Sequence, residues 1–264
     1  MRNPTMATEV FATVVRFLKE YCGVHSLTSE SEQAHLTNFI KELQRQTGGH
    51  GDVDVLAEAG PAAVLLWTSQ KKFEGVGAQH RKELCSLINA AIRDDHEDLA
   101  SSTAEITRAI NTTCVVRGQD VSPQRFPTDG TSWRGSGFDD AHRPFFTVGK
   151  QYRVPGFLAT SFSEAVATEF RDEWAFVPPG GSRIMWIVHV DPAGQRDTSK
   201  RCQHVNFVSH SHVGGESEYL FTAYSAFTVR SVRWGEGGAP HCIELDAAMD
   251  NKDEPEDLPL APWY

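Results

Sequence analysis

The hydrophobic period of this chain changes once, near Thr113. Before that point apolar residues recur at helical spacing. After it they come in short runs or alternate, as in strands. A chain whose helices precede its strands cannot form the alternating βαβ pattern of a parallel sheet. The expected class is therefore α+β.

The helical part reads in five segments. Asn3 can cap the first, Pro4 suits its first position, and Val10, Phe11, Val14, Leu18 and Tyr21 form its stripe up to Gly23. Ser29 and Glu32 make a capping box ahead of Leu36, Phe39, Ile40 and Leu43, with Gly48 closing that helix. Gly60-Pro61 opens a third segment through Thr68, and Leu84, Leu87, Ile88, Ala91 and Ile92 stripe a fourth. Ser102-x-x-Glu105 reads as the start of a fifth, with Ile106 and Ile110 facing inward. Cys114-Val115-Val116 then reads as a short strand. Arg183–Val190, with its continuous apolar middle, reads as a strand buried on both faces. Phe227–Val232 and His241–Leu245 are further strands. The stretch 122–142 is rich in Pro, Gly, Asp and Ser, has no period, and reads as a long loop of the kind that often carries function.

Composition narrows the function classes. The 264 residues carry a net charge of −10, which argues against a general nucleic-acid binder and permits basic protein partners. No apolar run is long enough to span a bilayer, and no secretory signal is read at the N-terminus. Cys22, Cys85, Cys114, Cys202 and Cys242 are scattered, without C-x-x-C spacing. They read as free thiols, those of Cys85 and Cys114 buried, in a reducing, cytoplasmic setting. His204, His210 and His212 lie close in sequence but lack a carboxylate or cysteine to complete a metal site, so no metal is expected and loop histidines are the simpler reading. Trp67, Trp174, Trp186 and Trp234 read as core or cleft-wall residues.

Three segments carry candidate chemistry. Arg117-Gly118 follows the Cys114-Val115-Val116 run. A guanidinium there can hold phosphates and the glycine admits a ligand close to the backbone, although an arginine paired with a surface carboxylate is the blander alternative. Phe157–Ser163 combines an apolar strand with the hydroxyls of Thr160, Ser161 and Ser163, of which Ser163 serves equally well as a helix cap for 164 to about 171. Gly214-Gly215-Glu216-Ser217-Glu218-Tyr219-Leu220-Phe221 sets two carboxylates at the mouth of an apolar run. In a continuous strand Glu216 and Glu218 share a face. The alternative is a solvated strand edge.

The order of these segments resembles the mono-ADP-ribosyltransferases of the Arg-Ser-Glu class. Leu65–Ser69 with Leu87–Arg93 looks like their helical lead-in, Tyr152–Ser163 like their serine-motif strand, and Glu216–Val229 like their glutamate strand. The resemblance spans about Val55 to Leu245. It implies a split β-sandwich with NAD as co-substrate. Arg117 and Gly118 would hold NAD, with Thr160 and Ser161 supporting it. Glu218 would be the catalytic glutamate and Glu216 the residue that selects an accessible arginine on a protein acceptor. The resemblance thus sets a catalytic domain at 55–247, preceded by an N-terminal helical extension (1–54) that takes no part in it. Asp250, Asp253, Glu254, Glu256 and Asp257 with Pro255, Pro259 and Pro262 read, from composition, as an acidic flexible tail (248–264). One position departs from the usual Ser-Thr-Ser: Ala159-Thr160-Ser161. An NAD glycohydrolase and a non-catalytic NAD- or ADP-ribose-binding module remain as alternatives.

Overall fold

The computed structural model describes residues 6–48, 58–73, 82–115, 129–191, 202–209 and 211–262. The chain divides into two compact units, one of residues 1–113 with 209–214, the other of residues 114–208 with 215–264. The boundary expected at residue 54 falls inside the first unit.

The first unit holds α1 (Met6–Val24), α2 (Glu30–Gly48), α3 (Ala59–Trp67), a short antiparallel pair β1 (Lys72–Phe73) and β2 (Lys82–Glu83), α4 (Leu84–Asp94) and α5 (Glu97–Cys114). Asn3 and Pro4 lie outside the described residues. The capping box forms as its spacing requires. Ser29 N donates to Glu32 Oε2 at 2.9 Å, and Glu32 N donates to Ser29 Oγ at 3.3 Å. α3 is apolar on nearly every side and is buried accordingly, packed against α1 and α2. A Cβ on Gly60 would come within 2.2 Å of Thr112 Oγ1, so glycine is what lets α3 approach α5.

Two sequence readings in this unit change. α5 starts at Glu97, not Ser102, because His96 Nδ1 accepts from Asp98 N at 3.3 Å and Glu97 and Asp98 suit a first turn. Ser102 is buried within the helix, its hydroxyl bonded to Glu20 and to the Leu99 carbonyl. Cys114 closes α5, so the strand expected at Cys114-Val115 is absent.

The second unit is built on one curled mixed sheet with helices preceding it in the chain, an α+β architecture. Its strands are β3 (Thr131–Phe138), β4 (Gln151–Val154), β5 (Leu158–Ser161), β6 (Ser182–His189), β7 (Val205–Phe207), β8 (Glu218–Phe221), β9 (Ser225–Arg233) and β10 (His241–Ala247), with α6 (Glu164–Glu169) between β5 and β6. The order is β4-β9-β10-β6-β3-β5-β8-β7, with β10 and β6 parallel and the other pairs antiparallel.

Between β3 and β5 only Trp133↔Ser161 is in register. The sheet therefore behaves as a five-stranded and a three-stranded half hinged at that pair. Tyr152, Val154, Trp186, Phe227, Val229, Ile243 and Leu245 from the larger half share one core with Leu158, Val205, Tyr219 and Phe221 from the smaller. The rings of Phe221 and Phe227 meet across it at 5.2 Å. This is the split β-sandwich.

β3 occupies part of the stretch 122–142 that reads as a loop. Its sequence, Thr-Ser-Trp-Arg-Gly-Ser-Gly-Phe, conceals a strand because one face carries glycine where strands usually carry bulk. A Cβ on Gly135 would lie 1.9 Å from the Ala167 carbonyl, and one on Gly137 would lie 1.9 Å from that of Phe176. The backbone from α6 onward lies directly on those positions, the usual reason for glycine inside a strand.

The expectation of a flexible tail is also corrected. Arg153, buried on β4, donates to the carbonyls of Asn251, Glu254 and Pro255, and its amide donates to Pro259 O at 2.9 Å. Asp250 is buried and caps the short turn Asn251–Asp253, and Ala261 joins the core. Acidic and proline-rich composition suggested a solvated segment, but the anchoring runs through backbone carbonyls that composition does not register.

Among the described residues no helix is long and apolar enough to cross a membrane, and no three His, Cys, Asp or Glu residues are grouped to hold a metal. His204 is buried with its ring nitrogens bonded to Ser225 Oγ at 2.9 Å and to the Ala248 carbonyl at 2.8 Å. The five cysteines are free, with Cys85 half-buried rather than buried. Trp67 and Trp186 are core residues, whereas Trp174 is exposed.

Candidate active site

The hinge between the half-sheets gathers the candidate groups. β5 and β8 pair in the register Ser161↔Glu218, Thr160↔Tyr219 and Ala159↔Leu220. With Trp133↔Ser161 this sets Trp133, Ser161 and Glu218 in one row across three neighbouring strands. Glu218 is the first residue of β8 and is half-buried.

Glu216 lies outside that strand. Ser217 between the two carboxylates has φ +50 and Gly215 has φ +92, so the chain turns through the left-handed region on either side of Glu216. The strand alternation that would align Glu216 and Glu218 does not operate here. The two carboxylates instead leave a tight turn, both half-buried.

Ser161 holds that turn. Its hydroxyl donates to the Glu216 carbonyl at 2.6 Å and accepts from Ser163 N at 3.0 Å, and Phe162 N donates to the Ser217 carbonyl at 3.1 Å. Ser163 caps α6, its hydroxyl accepting from Val166 N. Thr160 is buried on the other face of β5, with its hydroxyl 3.4 Å from the Tyr219 carbonyl, and so is committed to the core rather than to the row that holds Ser161. The Ser161 hydroxyl thus holds the turn ahead of β8, and the Thr160 hydroxyl lies against the backbone of β8 itself.

Arg117 and Gly118 lie outside the described residues. A second Arg-Gly pair, Arg134-Gly135, lies on β3 immediately after Trp133. Arg134 Nη1 donates to the Ala159 carbonyl at 2.8 Å across the hinge. The sequence reading missed this residue. The same dipeptide signal was present, but the glycines around it read as loop.

Ala159, the departure from Ser-Thr-Ser, faces Leu220 rather than Glu218. Its side chain is therefore not opposite the glutamate, and the polar contact at this position is made by its backbone.

No known family's sequence profile matches the chain, and no curated protein matches its sequence. Solved structures do match. The ADP-ribosyltransferase toxin Vis from Vibrio splendidus aligns with a TM-score of 0.50 at 14% identity, over 83% of this chain and 86% of its own. The ADP-ribosyltransferase HopU1 of Pseudomonas syringae aligns with a TM-score of 0.50 at 17% identity, over 78% of this chain and 87% of its own. The fold is that of the mono-ADP-ribosyltransferases.

Proposed function

We propose that this chain is a mono-ADP-ribosyltransferase that uses NAD as co-substrate and modifies arginine side chains of a protein acceptor. The observation that carries the reading is the row Trp133–Ser161–Glu218, with Arg134 beside it, at the one register pair between β3 and β5. The donor set fits the co-substrate: a guanidinium suits a pyrophosphate, and half-buried carboxylates suit a cationic reaction centre.

NAD supplies a glycosidic bond whose cleavage leaves positive charge on the ribose. Glu218 stabilises that charge electrostatically and holds the ribose hydroxyl. Arg134 takes the anchoring role that the family resemblance implied for Arg117, while the side-chain space of Gly135 is filled by the backbone of Ala167 and Arg171. Ser161 positions the Glu216–Glu218 turn and Thr160 buttresses β8. Glu216 docks the acceptor guanidinium, whose donors form a planar fork, and accepts its proton as the new bond forms. Arginine is supported by the second carboxylate and by the related fold of Vis, which was crystallised with agmatine, a guanidine.

The test is nicotinamide release from NAD with and without an arginine-bearing protein, with Glu218→Ala as the blank. Glu218→Ala is expected to lower release by about a hundredfold or more. Glu216→Ala should lose transfer to arginine and keep release into water. Release indifferent to the acceptor would support the glycohydrolase instead. Binding of NAD without release would support a non-catalytic module.

A further inference from the structure

The segment after β5 carries aromatic side chains that the fold leaves in water. Trp174 is 68% exposed, Phe176 75% and Phe170 41%. Their backbone is nonetheless fixed. Phe170–Trp174 forms a π-helical turn closed by Ala175 N on the Phe170 carbonyl at 2.8 Å, and the Phe176 carbonyl sits against Gly137. Arg183 secures the same turn, donating to the carbonyls of Arg171 and Asp172 at 3.0 and 3.1 Å. π-turns recur at functional positions, and adjacent exposed aromatics on a fixed backbone are the raw material of an interface anchor.

The charge around them selects the partner. Glu164, Glu169, Asp172 and Glu173 are exposed, four carboxylates against the two cations Arg171 and Arg183. Arg171 is held by both oxygens of Asp172 at 2.7 Å. An acidic, aromatic surface attracts a basic, apolar one and repels nucleic acid, an anionic membrane or a second copy of this chain, whose net charge is −10. The segment is also continuous with the candidate site. It begins one residue after Ser161, and Arg171 lies against Gly135, the neighbour of Arg134.

We infer that Trp174 and Phe176, flanked by Glu169 and Glu173, form the docking surface for the acceptor, a protein segment in which basic residues alternate with apolar ones. The inference rests on the transferase reading for the identity of the partner, and it adds a recognition surface separate from Glu216. Aromatic anchors fix the acceptor while the carboxylates steer it.

The experiment measures fluorescence anisotropy of a short labelled peptide of alternating arginine and leucine, titrated with the full chain in the absence of NAD. A peptide of alternating glutamate and leucine is the control. The arginine peptide should bind and the glutamate peptide should not. Trp174→Ala with Phe176→Ala should weaken binding about tenfold or more, as loss of aromatic anchors does, with an unchanged Tm. Glu169→Gln with Glu173→Gln should weaken it and flatten its salt dependence. Nicotinamide release into water, measured on the same proteins, should be unchanged. Equal binding by the aromatic variant, failure of the parent to bind, or loss of nicotinamide release with the aromatics would overturn the docking surface. A parent that binds the peptide through these residues yet releases no nicotinamide would leave the surface standing and remove the transferase reading.

Discussion

Arg134 Nη1 lies 2.8 Å from the carbonyl oxygen of Ala159, joining β3 to β5 where only one residue pair is in register. A guanidinium carries five N–H donors in a planar fork, and the proposed role asks Arg134 to serve both the hinge and an anion. Arg134→Lys keeps the charge and loses the fork. The expected outcome is a fall in kcat/KM for nicotinamide release of about a hundredfold with a Tm change of only a few degrees. A large Tm loss with full activity in the surviving folded fraction would make Arg134 structural alone.

Ser161→Ala removes the donor to the Glu216 carbonyl and the acceptor for Ser163 N. Leaving a buried polar group unpaired costs about 1–3 kcal/mol. The turn carrying Glu216 should loosen, and transfer to arginine should fall more than release into water. Paired assays of labelled acceptor and free nicotinamide measure the ratio. An equal fall in both would mean that Ser161 acts on the co-substrate instead.

Ala159→Ser tests the register. Because Ala159 faces Leu220 and its carbonyl already serves Arg134, a serine there should preserve or raise nicotinamide release. A large fall would show that Ala159 does not stand where Ala159↔Leu220 pairing sets it.

What the sequence displayed and what it hid divide along physical lines. Helix stripes, the Ser29–Glu32 box, the Ser163 cap and the strands β6, β9 and β10 are local patterns, and each formed where its residues are. β3 was hidden because its glycines answer to the backbone of residues 167–176, a contact no local window contains. That concealment hid Arg134 too. The geometry of Glu216 was misread for a related reason: the left-handed Ser217 interrupts the alternation that a strand would impose, and serine gives no signal for it. The exposure of Trp174 was equally illegible, since a tryptophan in sequence reads as core.

Gly135 offers a stability test of the hidden strand. A methyl there meets the Ala167 carbonyl at 1.9 Å and Arg171 N at 2.5 Å, both backbone atoms that cannot swing aside. Gly135→Ala should cost at least about 1–3 kcal/mol, the usual range for overpacking. Thermal unfolding should show a drop of several degrees, whereas Gly149→Ser, which meets nothing within 4 Å, should lose only the smaller penalty of its φ of +83. Equal losses at the two positions would mean that α6 does not press on β3.

The C-terminal segment depends on Arg153 in a way that proteolysis can read. The guanidinium of Arg153, 8% exposed, donates to the carbonyls of Tyr224 at 2.8 Å, Glu254 at 3.0 Å and Pro255 at 2.9 Å. Its own carbonyl accepts from Ala261 N at 2.8 Å. Methionine at this position would match much of the apolar stem and donate to none of these oxygens. Each carbonyl would then need water or stay unpaired, at about 1–3 kcal/mol apiece. The cheapest response is for the segment to lift off and hydrate its own carbonyls, because the backbone bonds to β4 are few. Arg153→Met should therefore lower the Tm by roughly 5–10 °C and open a protease site after residue 248, detected by the mass of the clipped product. A clipping pattern identical to the parent's would mean that Ala261 and the backbone bonds hold the segment without the guanidinium.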